Sequence, residues 1–469
     1  MTRETSSAAL SILAILSLLA VPSVVEAAEQ PNIILINCDD LGYADIGCFG
    51  STKHRTPNID RLAAEGMRLT SYYVTSGVCS PSRASLMTGC YPRRVDLHVD
   101  HQGGWVLFPR GKKGLNPSEV TMAEVLKEAG YATAIVGKWH LGDQPEFLPT
   151  RQGFDQYFGI PYSNDMGWTD RKDRRYPPLP VLRNEEVVDQ EPDQRYLTQR
   201  YTKKAIDFIR ARSEGPFFLY LPHSMPHWPQ YASEDFAGRS ANGKWGDAVE
   251  EIDWSTGQIL ETLAELGIED RTLVLFMSDN GGAVRHGASN KPLRGGKGGT
   301  YEGGQRVCCV VRWPGRIPAG ATCDELTTSM DLLPTFARLA GGTVPADRTI
   351  DGQDIWSLLS GQPGTKTPHE AFFYYWMGTL ECVRSGPWKL RVALKRRKSQ
   401  EPFSPQLFNL SEDIGEATDV AADHPEVVAR LQKLAEQARE ELGDDGATGS
   451  GQRRAGFVED ARALTGADD

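Results

Sequence analysis

The chain has 469 residues, of which 40% are hydrophobic and 24% are charged, values that are ordinary for a globular protein. This length is enough for one large domain with a smaller appendage. The formal net charge of −11 argues against a protein that binds nucleic acid or an anionic membrane surface. It leaves a small anionic substrate possible, because a local cluster of cations can dominate the potential inside a cleft.

An apolar run between Ala8 and Val21 lies near the N-terminus, and small residues follow it up to Ala28. The length of the run suits the core of a signal peptide and is short for a membrane span. We therefore predict residues 1–28 as a signal peptide and export to the periplasm or the exterior, with an uncleaved anchor as the alternative. The rest of the chain has no second long apolar run, so we expect no integral membrane domain.

Buried strands and amphipathic helices alternate along the first two thirds of the sequence. The first strand, at 31–37, is a nearly continuous apolar run, which is typical of a strand buried on both faces. Further strands are predicted at 131–136, 217–221, 273–277 and 307–311, and helices at 56–66, 121–128, 196–212, 248–266 and 332–339. This alternation predicts an α/β fold with a large, mostly parallel central sheet flanked by helices.

Two later segments break the alternation. Residues 166–192 are rich in proline and charge, which predicts a long loop at the rim of a pocket. Short aromatic strands at 372–376, 381–384, 388–392 and 406–410 precede a helix at 425–441 and predict a small antiparallel sheet with one helix. The predicted divisions are thus a catalytic domain at 29–370, a C-terminal α+β subdomain at 371–443 and a disordered tail at 444–469.

The most informative motif is Cys-Ser-Pro-Ser-Arg, which starts at Cys79. Ser80 can cap a helix and Pro81 suits the first helical position. Arg83 lies four residues after the cysteine, so both side chains share one helix face. Since a helix N-terminus and a guanidinium both bind oxyanions, the motif indicates an anion site beside a cysteine. A buried structural cysteine is the alternative.

Acidic residues follow two of the predicted strands directly. Asp39 and Asp40 come after the first strand, and Asp279 and Asn280 follow the strand at 273–277. Strand ends of an open α/β sheet converge on ligands, and these oxygen ligands favour Ca²⁺ or Mg²⁺ over zinc. Each motif by itself could also be a simple turn.

Further candidates also follow strands. Lys138 and His140 lie two residues apart after the strand at 131–136 and can therefore point to one face. His223 and His227 lie in a proline-rich loop after the strand at 217–221, and a glycine-rich run carries Lys297. Such a run lets lysine and backbone approach an anion closely.

These motifs, in this order over about residues 31–410, resemble the formylglycine-dependent sulfatases, the arylsulfatase-like branch of the alkaline-phosphatase superfamily. The resemblance implies an alkaline-phosphatase-like fold and conversion of Cys79 to formylglycine by a dedicated maturation enzyme. The implied metal is Ca²⁺, with Mg²⁺ less expected, and its implied ligands are Asp39, Asp40, Asp279 and Asn280 with the modified Cys79. The implied catalytic residues are Cys79, Arg83, Lys138, His140, His227 and Lys297. The implied substrate-binding residues are Ser163, His227 and Lys297.

The implied reaction is hydrolysis of a sulfate monoester of a carbohydrate or an aryl alcohol. A hydrated aldehyde has two hydroxyl groups, so that one attacks sulfur and the other later expels sulfate when a base removes its proton. The sequence predicts His140 as that base. His227, with Lys297, is expected to protonate or stabilise the leaving oxygen.

Other functions are compatible with parts of the pattern. A phosphate or phosphonate ester hydrolase of the same superfamily would bind a similar oxyanion, and a non-catalytic binder of sulfated glycans could retain the fold. A thiol phosphatase would need its arginine one or two residues further from the cysteine. Aromatic and imidazole side chains that could border the pocket are His98, His101, Trp105, Trp168 and His286.

Overall fold

The computed structural model describes Met1 and residues 30–171, 173–395 and 403–465. The predicted signal peptide therefore lies, apart from Met1, outside the described residues. The strands are β1 (Asn32–Cys38), β2 (Met67–Leu69), β3 (Tyr72–Tyr73), β4 (Lys113–Gly114), β5 (Ala132–Val136), β6 (Gln156–Gly159), β7 (Pro180–Arg183), β8 (Glu186–Gln190), β9 (Phe217–Pro222), β10 (Thr272–Ser278), β11 (Arg306–Val307), β12 (Cys309–Arg312), β13 (Ala321–Cys323), β14 (Thr327–Thr328), β15 (Phe372–Trp376), β16 (Thr379–Ser385), β17 (Trp388–Arg391), β18 (Gln406–Asn409), β19 (Gly443–Asp444), β20 (Ala447–Thr448) and β21 (Gly456–Phe457).

The helices are α1 (Pro57–Ala64), α2 (Cys79–Thr88), α3 (Met122–Glu128), α4 (Leu197–Arg212), α5 (Gly243–Glu265), α6 (Glu302–Gln305), α7 (Leu332–Leu339), α8 (Trp356–Leu359) and α9 (Pro425–Leu442). Within the described ranges, none of them combines the length and the apolar character that a membrane span requires.

A central sheet of ten strands has the order β13-β2-β12-β10-β1-β9-β5-β6-β7-β8. Its five middle strands, from β10 to β6, are parallel. On either side, β12 and β7 run antiparallel to their inner neighbours. The predicted large, mixed and mostly parallel sheet is confirmed.

The two faces of this sheet are covered by different helices. Along β1, Ile33 and Leu35 belong to one apolar cluster, which also contains residues of α2, α3 and α7. Ile34 and Ile36 belong to a second cluster, with residues of α1, α4 and α5. Because successive side chains of a strand point to opposite faces, this division explains why β1 is apolar at nearly every position.

Most predicted elements match the structure closely, and three differ. Helix α5 begins at Gly243 rather than near residue 248. The strand predicted at 307–311 is interrupted at Cys308, and its second part, β12, is antiparallel to β10 rather than a member of the parallel series. The segment 166–192 is a loop only in its first half, since β7 and β8 form a hairpin around Asn184 that extends the sheet.

The C-terminal residues form an antiparallel sheet, β15-β16-β17-β18, with α9 packed against it. This is the predicted small sheet with one helix, and the boundary near residue 371 stays a prediction. The prediction of a disordered tail is wrong for the described residues 444–465. There β21 pairs with β4, and Arg453 forms an ion pair with Glu119 at 2.7 Å. A composition rich in glycine and aspartate does not reveal such distant partners.

Candidate active site

Cys79 is the first residue of α2 and is only 2% exposed. Its thiol donates to Asp39 Oδ1 at 3.2 Å. The expected cap at Ser80 is wrong: the helix starts two residues earlier than predicted, after the extended residue Val78, and the Ser80 hydroxyl instead accepts a hydrogen bond from the backbone N–H of Leu107. The reactive position therefore lies at the helix N-terminus itself, the end of a helix that favours anions.

The thiol at this position is a poor nucleophile as it stands. Burial, together with the nearby Asp39 carboxylate, raises the pKa of Cys79 well above its usual value. Nucleophilic cysteines instead need a lowered pKa, because the thiolate is the reactive form. The environment of Cys79 thus disfavours thiolate chemistry and the thiol-phosphatase alternative.

Two buried cations connect the strand ends around Cys79. Arg83 donates through Nε to Asp279 Oδ2 at 2.9 Å and through Nη1 to the carbonyl oxygen of Lys138 at 2.8 Å. The Lys138 ammonium contacts an Asp39 carboxylate oxygen and donates to Ser163 Oγ at 3.2 Å. Both cations are therefore held by the carboxylates predicted to bind metal.

The backbone before Lys138 makes this arrangement possible. Gly137 has φ 138°, and a Cβ there would lie 1.9 Å from the carbonyl oxygen of Pro222. Only glycine allows this close approach, and the N–H of Lys138 donates to that same carbonyl at 2.8 Å. Asp40 and His140 also have positive φ, at 73° and 65°. Such backbone conformations are uncommon outside glycine and concentrate at functional sites.

The structure places the acidic residues of the two strand ends close together. Ligand atoms of Asp39, Asp40, Cys79 and His227 all lie within 4.8 Å of one another. Asp279 Oδ1 accepts from the backbone N–H of Asp40 at 3.2 Å.

Asn280 donates through its Nδ2 to Asp40 Oδ1 at 2.8 Å, and its buried Oδ1 has no hydrogen-bond partner among the described residues. Crowded carboxylates with an unpaired amide oxygen are the donor set of a hard cation, so these residues fit a divalent metal.

The electrostatics around these carboxylates also fit a cation. Burial alone would raise the pKa of Asp39, but Lys138 and other cations outweigh it and hold that pKa well below its usual value. Burial and the neighbouring Asp39 raise the pKa of Asp279 to about 6. Like charges held this close favour a bound cation, which relieves their repulsion.

The partners of two histidines fix which ring nitrogen faces the cavity. His140 Nε2 donates to the carbonyl oxygen of Leu107 at 2.9 Å, so its Nδ1, buried and without a partner among the described residues, carries the lone pair. Burial, with Lys138 and Arg83 adding to it, holds the pKa of His140 well below its usual value. His140 is therefore a neutral imidazole with an acceptor available.

His227 has the opposite orientation. Its Nδ1 donates to Asn164 Oδ1 at 3.0 Å, and its Nε2 lies 3.8 Å from Asp40 Oδ2. The Asn164 amide is itself fixed, because its Nδ2 donates to Gln194 Oε1 at 3.0 Å. The sequence did not predict Asn164, although it directly follows Ser163. His223, the other imidazole of this loop, is buried 3.5 Å from Ser255 Oγ and does not line the cavity.

Lys297 reaches the same group of residues from the glycine-rich loop and donates to Asp40 Oδ2 at 2.7 Å. That loop is held by the C-terminal sheet. Lys389 of β17, which is fully buried, donates to the carbonyl oxygen of Thr300 and to Glu302 Oε1, each at 2.9 Å. Its ammonium also contacts Glu416 Oε1 at 2.9 Å. We refer to Lys389, Glu302 and Glu416 as the loop clamp; the sequence predicted neither the lysine nor the pairing.

A cavity of about 480 Å³ opens above these residues. Its deep part contains Asp40, Cys79, His140, Ser163, His227 and Lys297. Of the five predicted rim residues, Trp105 and His286 line the cavity, whereas His98, His101 and Trp168 do not. Residues from the loop that begins at Met166 supply part of the rim, as predicted.

The Sulfatase family matches residues 31–342 of this chain, about two thirds of its length. The chain belongs to the sulfatase family. The C-terminal region of N-sulphoglucosamine sulphohydrolases matches residues 296–441 of the sulfatase.

Other sulfatases align with most of this chain. Human arylsulfatase A is 39% identical over 89% of both chains. Canine N-acetylgalactosamine-6-sulfatase is 42% identical over 77% of this chain and 72% of its own. The crystal structure of PsFucS1 sulfatase from Pseudoalteromonas sp. is similar to this chain with a TM-score of 0.77 and 28% identity, and it covers 87% of this chain and 90% of its own. The protein is thus a sulfuric ester hydrolase with an alkaline-phosphatase-like fold, as the sequence predicts.

Proposed function

We propose that the protein hydrolyses sulfate monoesters of carbohydrates by means of a formylglycine made from Cys79 and a bound Ca²⁺. The observation that carries this proposal is the convergence of Cys79, three carboxylates and the unpaired Asn280 Oδ1 in one buried group, of which Cys79 and Asp40 line the cavity. A sulfated sugar agrees with the cavity volume of about 480 Å³, which lies in the range typical of small-molecule sites.

The metal and the modified residue would supply what ordinary side chains lack. Asp39, Asp40, Asp279 and Asn280 would hold the ion, which when bound stabilises negative charge on a sulfuryl oxygen. The Cys79 Sγ stands where an oxygen of the hydrated aldehyde would lie. Arg83 and Lys138, already fixed by Asp279 and Asp39, would keep that group oriented.

The remaining residues would move protons and bind the ester. His140, neutral and with Nδ1 available, would remove the proton of a hydroxyl at position 79. His227, which turns Nε2 toward Asp40 and the cavity, would donate to the leaving oxygen when protonated, and Lys297 would stabilise the same oxygen. Ser163, whose hydroxyl accepts a hydrogen bond from Lys138, would bind the sulfate. General acid catalysis at a leaving group typically contributes about 10²–10⁴-fold.

The proposal includes a maturation enzyme that oxidises Cys79, and export directed by residues 1–28. It also divides the chain into a catalytic domain at 29–370 and a C-terminal subdomain at 371–443, which supplies Lys389 and Glu416 of the loop clamp.

Mass spectrometry of the peptide that contains Cys79, combined with turnover of an aryl sulfate and the matching aryl phosphate, tests this proposal. Protein produced with the maturation enzyme should carry the aldehyde and cleave the sulfate, and protein produced without it should be inactive. Faster cleavage of the phosphate would favour the phosphate-hydrolase alternative. Binding without turnover by aldehyde-containing protein would favour a glycan binder.

A further inference from the structure

The mouth of the cavity differs in chemistry from its base. The base residues Cys79 and His140 are nearly inaccessible, whereas Trp105 and Trp228 at the mouth are 39% and 40% exposed. Phe108 and Tyr176 stack there with their rings 8° from parallel. An aromatic mouth offers flat apolar faces to a ligand ring whose sulfate lies at the base.

Two arginines accompany the aromatic rings, and their charges are used differently. Arg171 donates to Asp165 Oδ2 at 2.7 Å and to the Asp165 carbonyl oxygen at 2.6 Å, so its charge is matched within the protein. The carboxylate that Arg175 contacts among the described residues is Asp173, at 3.6 Å, which is too long for a hydrogen bond. Arg175 therefore keeps donors that a ligand can use.

The position of Arg175 is nevertheless defined. Its guanidinium lies 5.0 Å from the centre of the Tyr176 ring, a cation–π distance, and its carbonyl oxygen accepts from Arg110 Nη2 at 3.3 Å. The side chain is 55% exposed and lines the cavity. Because the whole chain has a net charge of −11, an excess of basic residues over the chain does not explain a positioned guanidinium at the mouth of this cavity.

We propose that Arg175 forms a second anion subsite at the cavity mouth, so that the substrate is a carbohydrate with a further sulfate or carboxylate beyond the sulfate that is cleaved. This inference rests on the proposed function and specifies its substrate. A planar guanidinium pairs with sulfate or carboxylate through two parallel hydrogen bonds, while the sugar ring packs on the aromatic wall. A simple aryl sulfate would use the wall and leave Arg175 without a partner.

The test compares Arg175→Gln with a matched control, Arg174→Gln. Arg174 is the preceding arginine of the same loop, packs over Trp168 at 4.6 Å and does not line the cavity. The substrates are p-nitrophenyl sulfate, a disaccharide with one sulfate, and the same disaccharide with a sulfate on each ring. We expect Arg175→Gln to raise KM for the disulfated sugar about fivefold to tenfold, the effect of one charge-assisted contact near the surface.

For the two substrates with a single sulfate, KM and kcat should stay within about twofold of the parent in both variants. The preference for the disulfated sugar should also shrink at about 1 M salt, where the Debye length is about 3 Å. An equal loss with all three substrates, or no loss with any, overturns the subsite.

A binding measurement separates this inference from the proposed function. In the Cys79→Ala protein, which cannot be matured, calorimetry with the disulfated sugar should show weaker binding by about the same factor when Arg175→Gln is added. Unchanged affinity overturns the subsite whatever the catalytic chemistry. A weakened affinity supports it even if matured protein cleaves no sulfate, a result that would contradict the proposed function alone.

Discussion

Replacement of Lys389 by methionine tests the loop clamp. The Lys389 ammonium is fully buried and lies 2.9 Å from carboxylate oxygens of both Glu302 and Glu416. Methionine has a similar length but no charge, so the two carboxylates would face each other without a cation. Removal of one member of a buried ion pair typically costs about 3–5 kcal/mol, and the second carboxylate places this site at the upper end of that range.

The loss of stability in the Lys389→Met protein should depend on pH in a defined direction. Burial, only partly offset by Lys389, raises the pKa of Glu416, whereas Lys389 and other cations more than offset burial at Glu302 and lower its pKa. Without Lys389, Glu416 is therefore the carboxyl that takes up a proton. Since proton uptake costs more as pH rises, the Lys389→Met protein should lose more stability at high pH than at low pH.

Urea unfolding of Lys389→Met measures this effect, and two further variants control it. Lys366 pairs with Glu325 at the same 2.9 Å but is 80% exposed, so Lys366→Met should cost no more than about 1 kcal/mol. Glu416→Gln added to Lys389→Met should recover part of the loss, because it removes the uncompensated charge. If Lys389→Met costs no more than Lys366→Met, the reasoning about the clamp is refuted.

Three other predictions concern the metal, the leaving group and the ion pair between His369 and Asp331. A chelator should lower the melting temperature of the protein, and added Ca²⁺ should restore it. At a free Ca²⁺ concentration of a hundred times Kd, binding raises the free energy of unfolding by about 2.7 kcal/mol; no shift in a thermal scan would count against the cation site. His227→Ala should reduce kcat for alkyl sulfates far more than for activated aryl sulfates, and equal losses would contradict the acid role. Burial alone lowers the pKa of His369, but the ion pair with Asp331 at 2.7 Å outweighs it and raises that pKa. The resulting stabilisation is complete below the unfolded pKa of about 6.5 and is lost as pH rises through the folded value, so His369→Gln should destabilise more at about pH 5.5 than at about pH 9. An equal loss at both would contradict this assignment.

The fold and the location of the site could be read from local patterns. Continuous apolar runs such as β1 indicated strands buried on both faces, and polar residues such as Asp39 and Lys138 directly after strands indicated one functional edge. The capping box of Thr121 and Glu124 marks the start of α3, which explains why the predicted helix at 121–128 agrees with the structure. These features depend on neighbours in sequence, which is why spacing alone revealed them.

Partners that are distant in sequence were decided only by the tertiary structure. No periodicity in the sequence connects the segments that three of these contacts join. They are the hydrogen bond from His227 to Asn164, the ion pair of Lys389 with Glu302, and the pairing of β21 with β4. Residue order shows which chemical groups are present and on which element each one lies. Hydrogen-bond direction and charge neutralisation, as at Arg171 and Arg175, depend on the three-dimensional neighbours that packing brings together.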